Sequence, residues 1–489
     1  MIKNINEFSL DRKKDPIKLN QELINYIDNF VKDDNFNDII SWISRETDVS
    51  SKSLSCDCKL FIFNQFENIK GKFNYTFKFL NIFISSLKFL FIMIFIRIFS
   101  TKKTNIKKTK LIIDDVDKRI NEERYSHLNK LIDLILISEA DVGKNFNFYK
   151  FSKTTLFLRN KYIKNNLSFI FSIFYKSITL SIKLKTNIIP IIISIIFKYF
   201  KYETIFSNIK GDFLLQERHY TTSAIKNEIF KKKGGIITSA IQRNIIQLNG
   251  PGMFINCDLL LTLGKKSADN LQQYGCNVKK KIPIGSFYME DQFYKKRDYN
   301  SFPSYDLISF ESNQKDTKFH AINEIFLDDR YLHFEWIKKF STKHPKLRIG
   351  IKHKRSITDQ REIEMFKDLK NVSHLVTKIK GGLGEGGTDT YHLGAKAKAL
   401  CTWSSTLGYE FIGNGKDCLY LDPGGRNTSF LRNSKENSLI RVTKYEDFEL
   451  KVINMIKKGN ILVENSLRDN FCLKSTSVSE NIIKAYDQY

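Results

Sequence analysis

The stretch KGGLGEGGTDTYHLGAKAKALCTWSSTLGYEFIGNGKDCLYLDPGG, Lys380–Gly425, sets the architecture of the second half of the chain. Two short apolar runs, Ala399–Trp403 and Cys418–Leu421, have the length and composition of buried strands. The segment between them, Leu407–Ile412, is predicted to be a helix. A strand, a helix and a second strand in this order form the repeating unit of a parallel α/β sheet.

Small hydroxyl residues follow the first of these strands. Ser404, Ser405 and Thr406 stand where the helix begins, and the first N–H groups of a helix have no acceptor within it. Such a turn binds anions, and ligands of open α/β sheets lie at the carboxyl ends of the strands. These residues are therefore predicted to hold the phosphate of a nucleotide-activated donor. Glu410, four residues after Thr406, is predicted to accept ribose hydroxyls, with a surface acid as the alternative.

A glycine-rich loop, Gly381–Gly387, precedes this unit and contains one acid, Glu385. It is not a P-loop, because no GK[ST] follows, and it lacks the G-x-G-x-x-G spacing of dinucleotide-binding turns. Glycine nevertheless permits tight turns and close approach of a ligand to the backbone. The donor-binding candidates in this loop are Gly382, Gly384 and Gly386.

A second candidate phosphate site follows the predicted strand Leu347–Ile351. Lys352, His353 and Lys354 come directly after that strand, so their side chains are expected at the carboxyl edge of the sheet. Positive charge at that edge would attract a phosphate. A solvated basic turn remains the alternative in so basic a chain.

Acid–base candidates follow a predicted strand of the first half, Asp212–Arg218. Glu217 and His219 stand at its carboxyl end. Group transfer to a hydroxyl needs a base that takes the proton of that hydroxyl. Glu217, His219 and Glu385 are the candidates for this role. No Asp-x-Asp occurs at the glycine-rich strand ends, so the transfer is predicted to be metal-independent. No cofactor is predicted, and the activated donor is a substrate.

Strands and helices alternate from Gly211 onwards, which predicts parallel sheets with right-handed crossovers. The expected fold is α/β, with two Rossmann-like domains facing a cleft. Upstream, Lys108–Ile137 is interpreted as a strand, an acidic turn and a helix. Four regions are predicted, namely a helical N-terminal region, a first (acceptor) domain, a second (donor) domain and C-terminal helices that pack back across the junction: residues 1–106, 107–300, 301–435 and 436–489.

Two segments rich in Phe, Leu and Ile carry narrow polar stripes at helical spacing, Thr76–Phe99 and Leu167–Phe200. The uninterrupted apolar run of the first, Phe89–Ile96, falls far short of the roughly 20 residues that span a bilayer. Two interpretations remain open. The helices are buried in the protein core, or they lie in a membrane surface with their lysines at the headgroups.

The composition narrows the class of protein. Hydrophobic residues make up 42% of the 489 residues, which excludes wholesale disorder. A net charge of +26 favours anionic partners such as membrane headgroups, nucleotides or nucleic acid. The polar N-terminus, MIKNINEFSLDRKKD, has no signal-peptide pattern, so a cytoplasmic location is expected.

The turn WSSTLGYE, Trp403–Glu410, the basic strand end and the two α/β domains together resemble GT-B glycosyltransferases of bacterial surface polysaccharide synthesis. The chain is similar to the polysaccharide biosynthesis PFTS motif family over Asp212–Gly425. The Pro-Phe-Thr-Ser of that family falls on Thr402–Ser405, where only the final serine is identical. Capsule sugar transferases that use CMP-activated donors have a similar Ser-Thr turn and a Lys/His-Pro element, and Lys352–Lys354 occupies the latter place without the proline.

This resemblance implies a GT-B-like arrangement, with the donor phosphate on the basic strand end and the Ser-Ser-Thr turn and the acceptor in the first domain. It implies sugar transfer to a growing capsule, O-antigen or exopolysaccharide, on lipid-linked or polymeric acceptors at the inner face of the plasma membrane. Two alternatives stay open: a glycerophosphotransferase or other phosphosugar transferase on the same fold, and a basic membrane or nucleic-acid-binding protein without catalysis. No RNA- or DNA-binding motif is present.

Overall fold

A computed structural model describes the following parts of the chain: residues 16–68, 82–88, 90–91, 106–114, 122–138, 146–150, 167–244, 251–269, 271, 277–290, 302–311, 321–353, 360–376, 387–403, 405–425 and 434–489.

The first sheet consists, within these residues, of seven strands: β1 Lys107–Asp114, β2 Leu134–Ser138, β3 Phe148–Lys150, β4 Ile209–Gln216, β5 Ile237–Ile241, β6 Cys257–Thr262 and β7 Val278–Pro283. Their order is β3-β2-β1-β4-β5-β6-β7, and every neighbouring pair is parallel. This is the Rossmann order with one strand added beyond β6. Central strands of such a sheet are covered on both faces, which is why their sequences are nearly continuous apolar runs.

The second sheet, as far as the chain is described, has six strands: β8 Leu307–Phe310, β9 Ile349–Lys352, β10 Val372–Leu375, β11 Ala399–Thr402, β12 Cys418–Leu421 and β13 Arg441–Val442. Their order, β10-β9-β8-β11-β12-β13, is again that of a Rossmann sheet, and all pairs are parallel. The strand order reverses between β8 and β11, so the crevice at the carboxyl ends of these two strands is the switch point where ligands bind in such sheets. The predicted fold class, two Rossmann-like domains after a helical region, is confirmed.

The helices cover these sheets and form the N-terminal region. Their bounds are α1 Pro16–Val31, α2 Asp34–Thr47, α3 Ser51–Asn68, α4 Glu122–Leu131, α5 Leu167–Lys183, α6 Ile189–Asn208, α7 Ala224–Lys232, α8 Ala321–Lys343, α9 Gln360–Phe366, α10 Gly387–Lys396, α11 Leu407–Gly413, α12 Lys435–Ile440, α13 Tyr445–Lys458, α14 Asn465–Phe471 and α15 Val478–Asp487.

The N-terminal helices share one apolar core with the first sheet. A buried carboxylate, Asp57 on α3, joins them to α7. Its Oδ2 accepts hydrogen bonds from the Ser223 hydroxyl at 2.9 Å and the Ile225 N–H at 2.8 Å, at the start of α7. Its Oδ1 lies 2.5 Å from Nζ of Lys198 on α6. Asp57 therefore caps a helix of the first domain from outside that domain's sheet.

The end of the chain packs against the first domain. Tyr486 on α15 stacks on Phe213 of β4 with ring centroids 4.4 Å apart, and its hydroxyl lies 2.7 Å from that of Ser239 on β5. Val478 and Ile482 of the same helix are buried in the core of the first sheet. The polypeptide therefore returns from the second sheet to the first before it ends.

Two local predictions need correction. Leu134–Ser138, predicted as part of a helix, is strand β2, because a short run of apolar residues suits a buried strand as well as a buried helix. Leu167–Phe200 is divided between α5 and α6 by a turn in which Lys185 has a φ of 48°, and Pro190 lies in the first turn of α6. Among the described helices, none has the length and apolar content needed to cross a bilayer.

Candidate active site

A buried hydrogen-bonded contact joins the carboxyl ends of the two sheets. Ser286 follows β7 of the first sheet, and Glu410 lies on α11, directly after β11 of the second. The Ser286 hydroxyl donates a hydrogen bond to one carboxyl oxygen of Glu410, and the Tyr391 hydroxyl donates to the other at 3.0 Å. All three side chains are buried. The two strand edges at which Rossmann sheets bind ligands therefore adjoin each other.

Burial raises the pKa of the Glu410 carboxyl, and the hydrogen bonds from Ser286 and Tyr391 oppose that rise. Each oxygen of this carboxyl already accepts a bond from a protein hydroxyl. The structure thus places Glu410 in the junction between the domains, at 3% exposure, rather than on a solvent-facing helix surface.

A small recess, with a cavity volume of about 20 Å³, lies at the carboxyl edge of the first sheet. Four consecutive strands, β4 to β7, contribute the residues that follow them. The recess borders the second domain, because Ser286 both lines it and binds Glu410. Its lining consists of Glu217, Ile241, Gln242, Arg243, Leu263, Gly285, Ser286 and Phe287.

A buried ion pair forms the polar part of this recess. Nη1 of Arg243 lies 3.1 Å from Oε1 of Glu217, and the two side chains are 15% and 5% exposed. The guanidinium fixes the orientation of the carboxylate, and both groups reach the recess. Arg243 was not among the residues predicted from the sequence. It comes just after strand β5, and this position at the carboxyl edge of the sheet is the sequence feature that could have identified it as a site residue.

His219 is held against the backbone of the same edge. Its Nδ1 accepts a hydrogen bond from the Arg243 N–H at 3.3 Å, so a neutral ring carries its proton on Nε2. Burial lowers the pKa of His219 to about 4, and a hydrogen bond to the backbone of Ile241 opposes this shift. The imidazole is therefore neutral at pH 7, and it orders the loop that carries Arg243.

Lys352 and His353, the described residues of the basic strand end, are buried rather than solvated. Lys352 is 2% exposed, and its Nζ donates to the carbonyl of His353 at 2.9 Å. Nδ1 of His353 lies 2.5 Å from Oε2 of Glu311, the residue after β8. Its Nε2 lies 2.9 Å from Nδ1 of His374. Burial lowers the pKa of His374; His353 also lowers it, and Glu311 opposes the shift.

Hydrogen bonds hold the turn between β11 and α11. The Ser405 N–H donates to Oγ1 of Thr402 at 3.1 Å, and Oγ of Ser405 accepts from the Leu407 N–H at 3.3 Å. The Ser405 carbonyl accepts from the Tyr420 hydroxyl at 2.6 Å. A Cβ at Gly408 would lie 2.5 Å from that hydroxyl oxygen, so the close approach requires glycine.

The two predicted parts of the donor site end at the same level of the second sheet. Phe310 pairs with Lys352 on β9 and with Thr402 on β11. Two strand spacings separate Lys352 from Thr402, roughly 10 Å. Thr406 occupies the N-cap position of α11. Six predicted site residues lie outside the described residues, namely Lys354, Gly382, Gly384, Glu385, Gly386 and Ser404.

Comparison with known proteins gives similarity of fold only. No protein-family model and no curated sequence matches the chain. Similar solved structures include the wall teichoic acid polymerase TagF, with 10% identity over 84% of this chain and 97% of that chain and a TM-score of 0.46. MurG of Acinetobacter baumannii has 10% identity over 78% and 100% of the two chains, with a TM-score of 0.37.

The E. coli heptosyltransferase WaaC with ADP has 9% identity over 72% of this chain and 99% of that chain, with a TM-score of 0.31. Identities this low concern the fold and say nothing of substrates. The resemblance to the PFTS motif family stays a prediction, since no family model matches.

Proposed function

We propose that this chain is a GT-B-type glycosyltransferase that moves a sugar from a nucleotide-activated donor to a growing capsule, O-antigen or exopolysaccharide acceptor. One observation carries the proposal: the carboxyl edges of two Rossmann-ordered sheets adjoin at a recess, where Ser286 of the first domain binds Glu410 of the second. Ligands of open α/β sheets bind at this edge, and clefts between domains are common substrate sites.

In this proposal the donor nucleotide binds the second domain at the switch point between β8 and β11. The turn of Ser404, Ser405 and Thr406 supplies hydroxyl groups there. The glycine-rich loop and Lys354 add further contacts to the phosphate. Lys352 and His353 are buried, so we assign them the support of this edge rather than direct contact with the donor.

The acceptor hydroxyl enters the recess of the first domain, where Glu217 is the preferred base. Its carboxylate takes the hydroxyl proton as the new C–O bond forms, and the donor phosphate leaves with the electrons of the broken bond. Arg243 orients Glu217 from 3.1 Å away. His219 and Glu385 remain the other candidates. We assign no step of the transfer to a metal or a cofactor.

The proposed location is the inner face of the plasma membrane. Large apolar side chains are exposed on two helical segments that touch each other, since Asn187 after α5 donates to the Ser85 hydroxyl at 2.9 Å. We call this surface the apolar patch, and its members are Phe83, Ile84, Leu87, Phe91, Phe171, Tyr175 and Ile182. The opposite faces of the same segments bury Ile82 and Ile173.

One face of these segments is thus buried in the protein core, and we propose that the exposed face lies in a membrane surface. Exposed lysines accompany the patch, Lys88 on the first segment and Lys176 and Lys183 on α5. Apolar rings beside lysines are typical of helices that lie in an anionic membrane surface. A membrane-bound enzyme at that surface would meet lipid-linked acceptors.

Equilibrium binding of CMP-, UDP-, GDP- and CDP-linked sugars to the full chain tests the proposal. We expect saturable binding of one nucleotide class and loss of that affinity in Thr406→Ala combined with Ser404→Ala. Release of CMP together with a glycerophosphate product would favour the phosphotransferase alternative instead. Salt-sensitive RNA binding without affinity for any of these donors would overturn the transferase proposal.

A further inference from the structure

A cluster of metal-ligand atoms lies at the carboxyl edge of the second sheet, beside the proposed donor site. Nε2 of His353, Nδ1 of His374 and Oε1 of Glu362 point toward one another, with separations of 2.9, 3.3 and 3.9 Å. His353 and Glu362 are 4% and 1% exposed at their side chains, and His374 is 21% exposed. The sequence prediction included no metal.

We propose that His353, Glu362 and His374 bind a zinc ion. Ligand atoms at ~2.0 Å from a tetrahedral zinc lie ~3.3 Å from one another, and the three observed separations bracket that value. Two imidazoles and one carboxylate are a known ligand set for zinc, which leaves a fourth position for water or another ligand. Nitrogen ligands disfavour magnesium and calcium, which prefer oxygen.

The fold holds the three ligands on regular structure. His353 follows β9 and His374 lies in β10, and these strands pair in parallel, with His374 opposite Ile351. The His353 N–H donates to the Leu375 carbonyl at 2.9 Å, which extends the strand pairing through the ligand. Glu362 lies in α9, which connects the two strands. The ligands are thus placed before any metal arrives.

Glu311 supplies the outer contact that metal-binding histidines require. Its Oε2 accepts from Nδ1 of His353, which fixes the tautomer and leaves the lone pair of Nε2 directed at the cluster. That lone pair lies 2.9 Å from Nδ1 of His374 and 3.3 Å from Oε1 of Glu362, so a cation at this point would have all three ligand atoms around it. Glu311 and Glu362 also bring two buried negative charges, which a divalent cation offsets.

The zinc ligands are not the residues proposed to contact the donor. The ring of His353 is directed at Glu362 and His374, so zinc would hold the carboxyl end of β9 in place. Lys352, the preceding residue, would stay buried. This role requires no contact between zinc and the reacting groups. Zinc binding can be measured without donor or acceptor, so its outcome is independent of the proposed glycosyl transfer.

The test uses the full chain without a histidine tag, stripped with chelator and then titrated with zinc against a chromophoric competitor. We expect one zinc per chain and a higher Tm of the loaded protein. Glu311→Gln should weaken binding about 10–100-fold, as outer contacts of metal sites do, and His374→Gln or Glu362→Gln should weaken it further. Cobalt in place of zinc should give the visible absorption of a tetrahedral site.

His344→Gln is the matched control, because Nε2 of His344 lies 2.7 Å from Oε1 of Glu449 in the same domain but has no place in the cluster. This variant should keep the zinc affinity of the parent chain. Circular dichroism establishes that each variant folds. Two results would overturn the proposal: the parent chain binds less than stoichiometric zinc at saturation, or His374→Gln and His344→Gln bind it equally.

Discussion

Glu217 is the side chain on which the proposed transfer most directly depends. Glu217→Gln keeps the size of the side chain and an oxygen for Arg243 but removes the basic carboxylate. We expect the transfer rate constant to fall by about 10²- to 10⁴-fold, the usual contribution of a general base, with donor affinity unchanged. Single-turnover transfer and equilibrium donor binding measure the two quantities separately.

Glu446→Gln serves as the control for this substitution, because the Glu446 side chain is 78% exposed on the second domain. It should leave both quantities unaltered. Transfer at the parental rate in Glu217→Gln would exclude Glu217 as the base and favour Glu385 in that role. A loss of donor affinity would instead place Glu217 in the donor site.

The buried histidine His219 is expected to make the stability of the protein depend on pH. Its pKa falls from 6.5 in the unfolded chain to about 4 in the folded protein, so the folded state prefers the neutral ring. The folded state therefore carries a penalty of roughly 3 kcal/mol for the protonated ring, which is absent above pH 6.5 and develops as the pH falls toward 4.

Urea unfolding between pH 4 and 8 measures this contribution as the difference between the parent chain and His219→Gln. Carboxylates also titrate in this range, but they are common to both proteins and cancel in the difference. The free-energy difference between the two proteins should shrink on acidification. A difference independent of pH would mean that the pKa of His219 is the same in the folded and unfolded chain.

At the scale of elements, Asp57 joins α3 to the first domain. Asp57→Asn leaves Lys198 without its carboxylate partner and gives the start of α7 a weaker cap. Because the Lys198 side chain is 26% exposed and can be hydrated, the expected cost is that of weakened charge-assisted hydrogen bonds at Asp57, about 1.5–3 kcal/mol of unfolding free energy. Urea unfolding should show one transition at lower denaturant, because the helices and the sheet share one core.

The exposed Asp38 on α2 provides the control, since Asp38→Asn alters charge in the same region without a buried partner. Its unfolding midpoint should match that of the parent chain. If Asp57→Asn instead melts the N-terminal helices in a separate early transition, they form a unit of their own rather than part of the first domain.

The elements also show which features a sequence can predict. Cys418–Leu421 was predicted with its observed bounds, because a short apolar run between polar turns has few other structures open to it. The helix predicted to include Leu134–Ser138 was wrong there, because its apolar composition suits a helix and a buried strand equally. The contacts of the candidate site depend on pairing across the fold: Glu217 and Arg243 are 26 residues apart, and His353 meets His374 only because β9 and β10 are neighbours.

At the scale of the whole molecule, the apolar patch and the net charge of +26 act together. Burial of exposed rings in a bilayer gains hydrophobic free energy, and lysines beside them add about 1 kcal/mol each near an anionic surface. We therefore expect the chain to sediment with phosphatidylglycerol vesicles and much less with phosphatidylcholine vesicles, and high salt to weaken this binding. Phe171→Ser with Tyr175→Ser should reduce the bound fraction several-fold.

The two substituted residues were chosen so that an effect on membrane binding can be distinguished from an effect on folding. Phe171 and Tyr175 are 58% and 70% exposed, so their replacement by serine leaves the core intact. Leu332→Ser with Ile363→Ser is the matched control, because both side chains are exposed apolar groups of the second domain, away from the patch. An equal loss of vesicle binding in both double variants would indicate nonspecific hydrophobic adsorption. Undiminished vesicle binding in the Phe171 and Tyr175 variant would mean that the patch meets another protein surface rather than lipid.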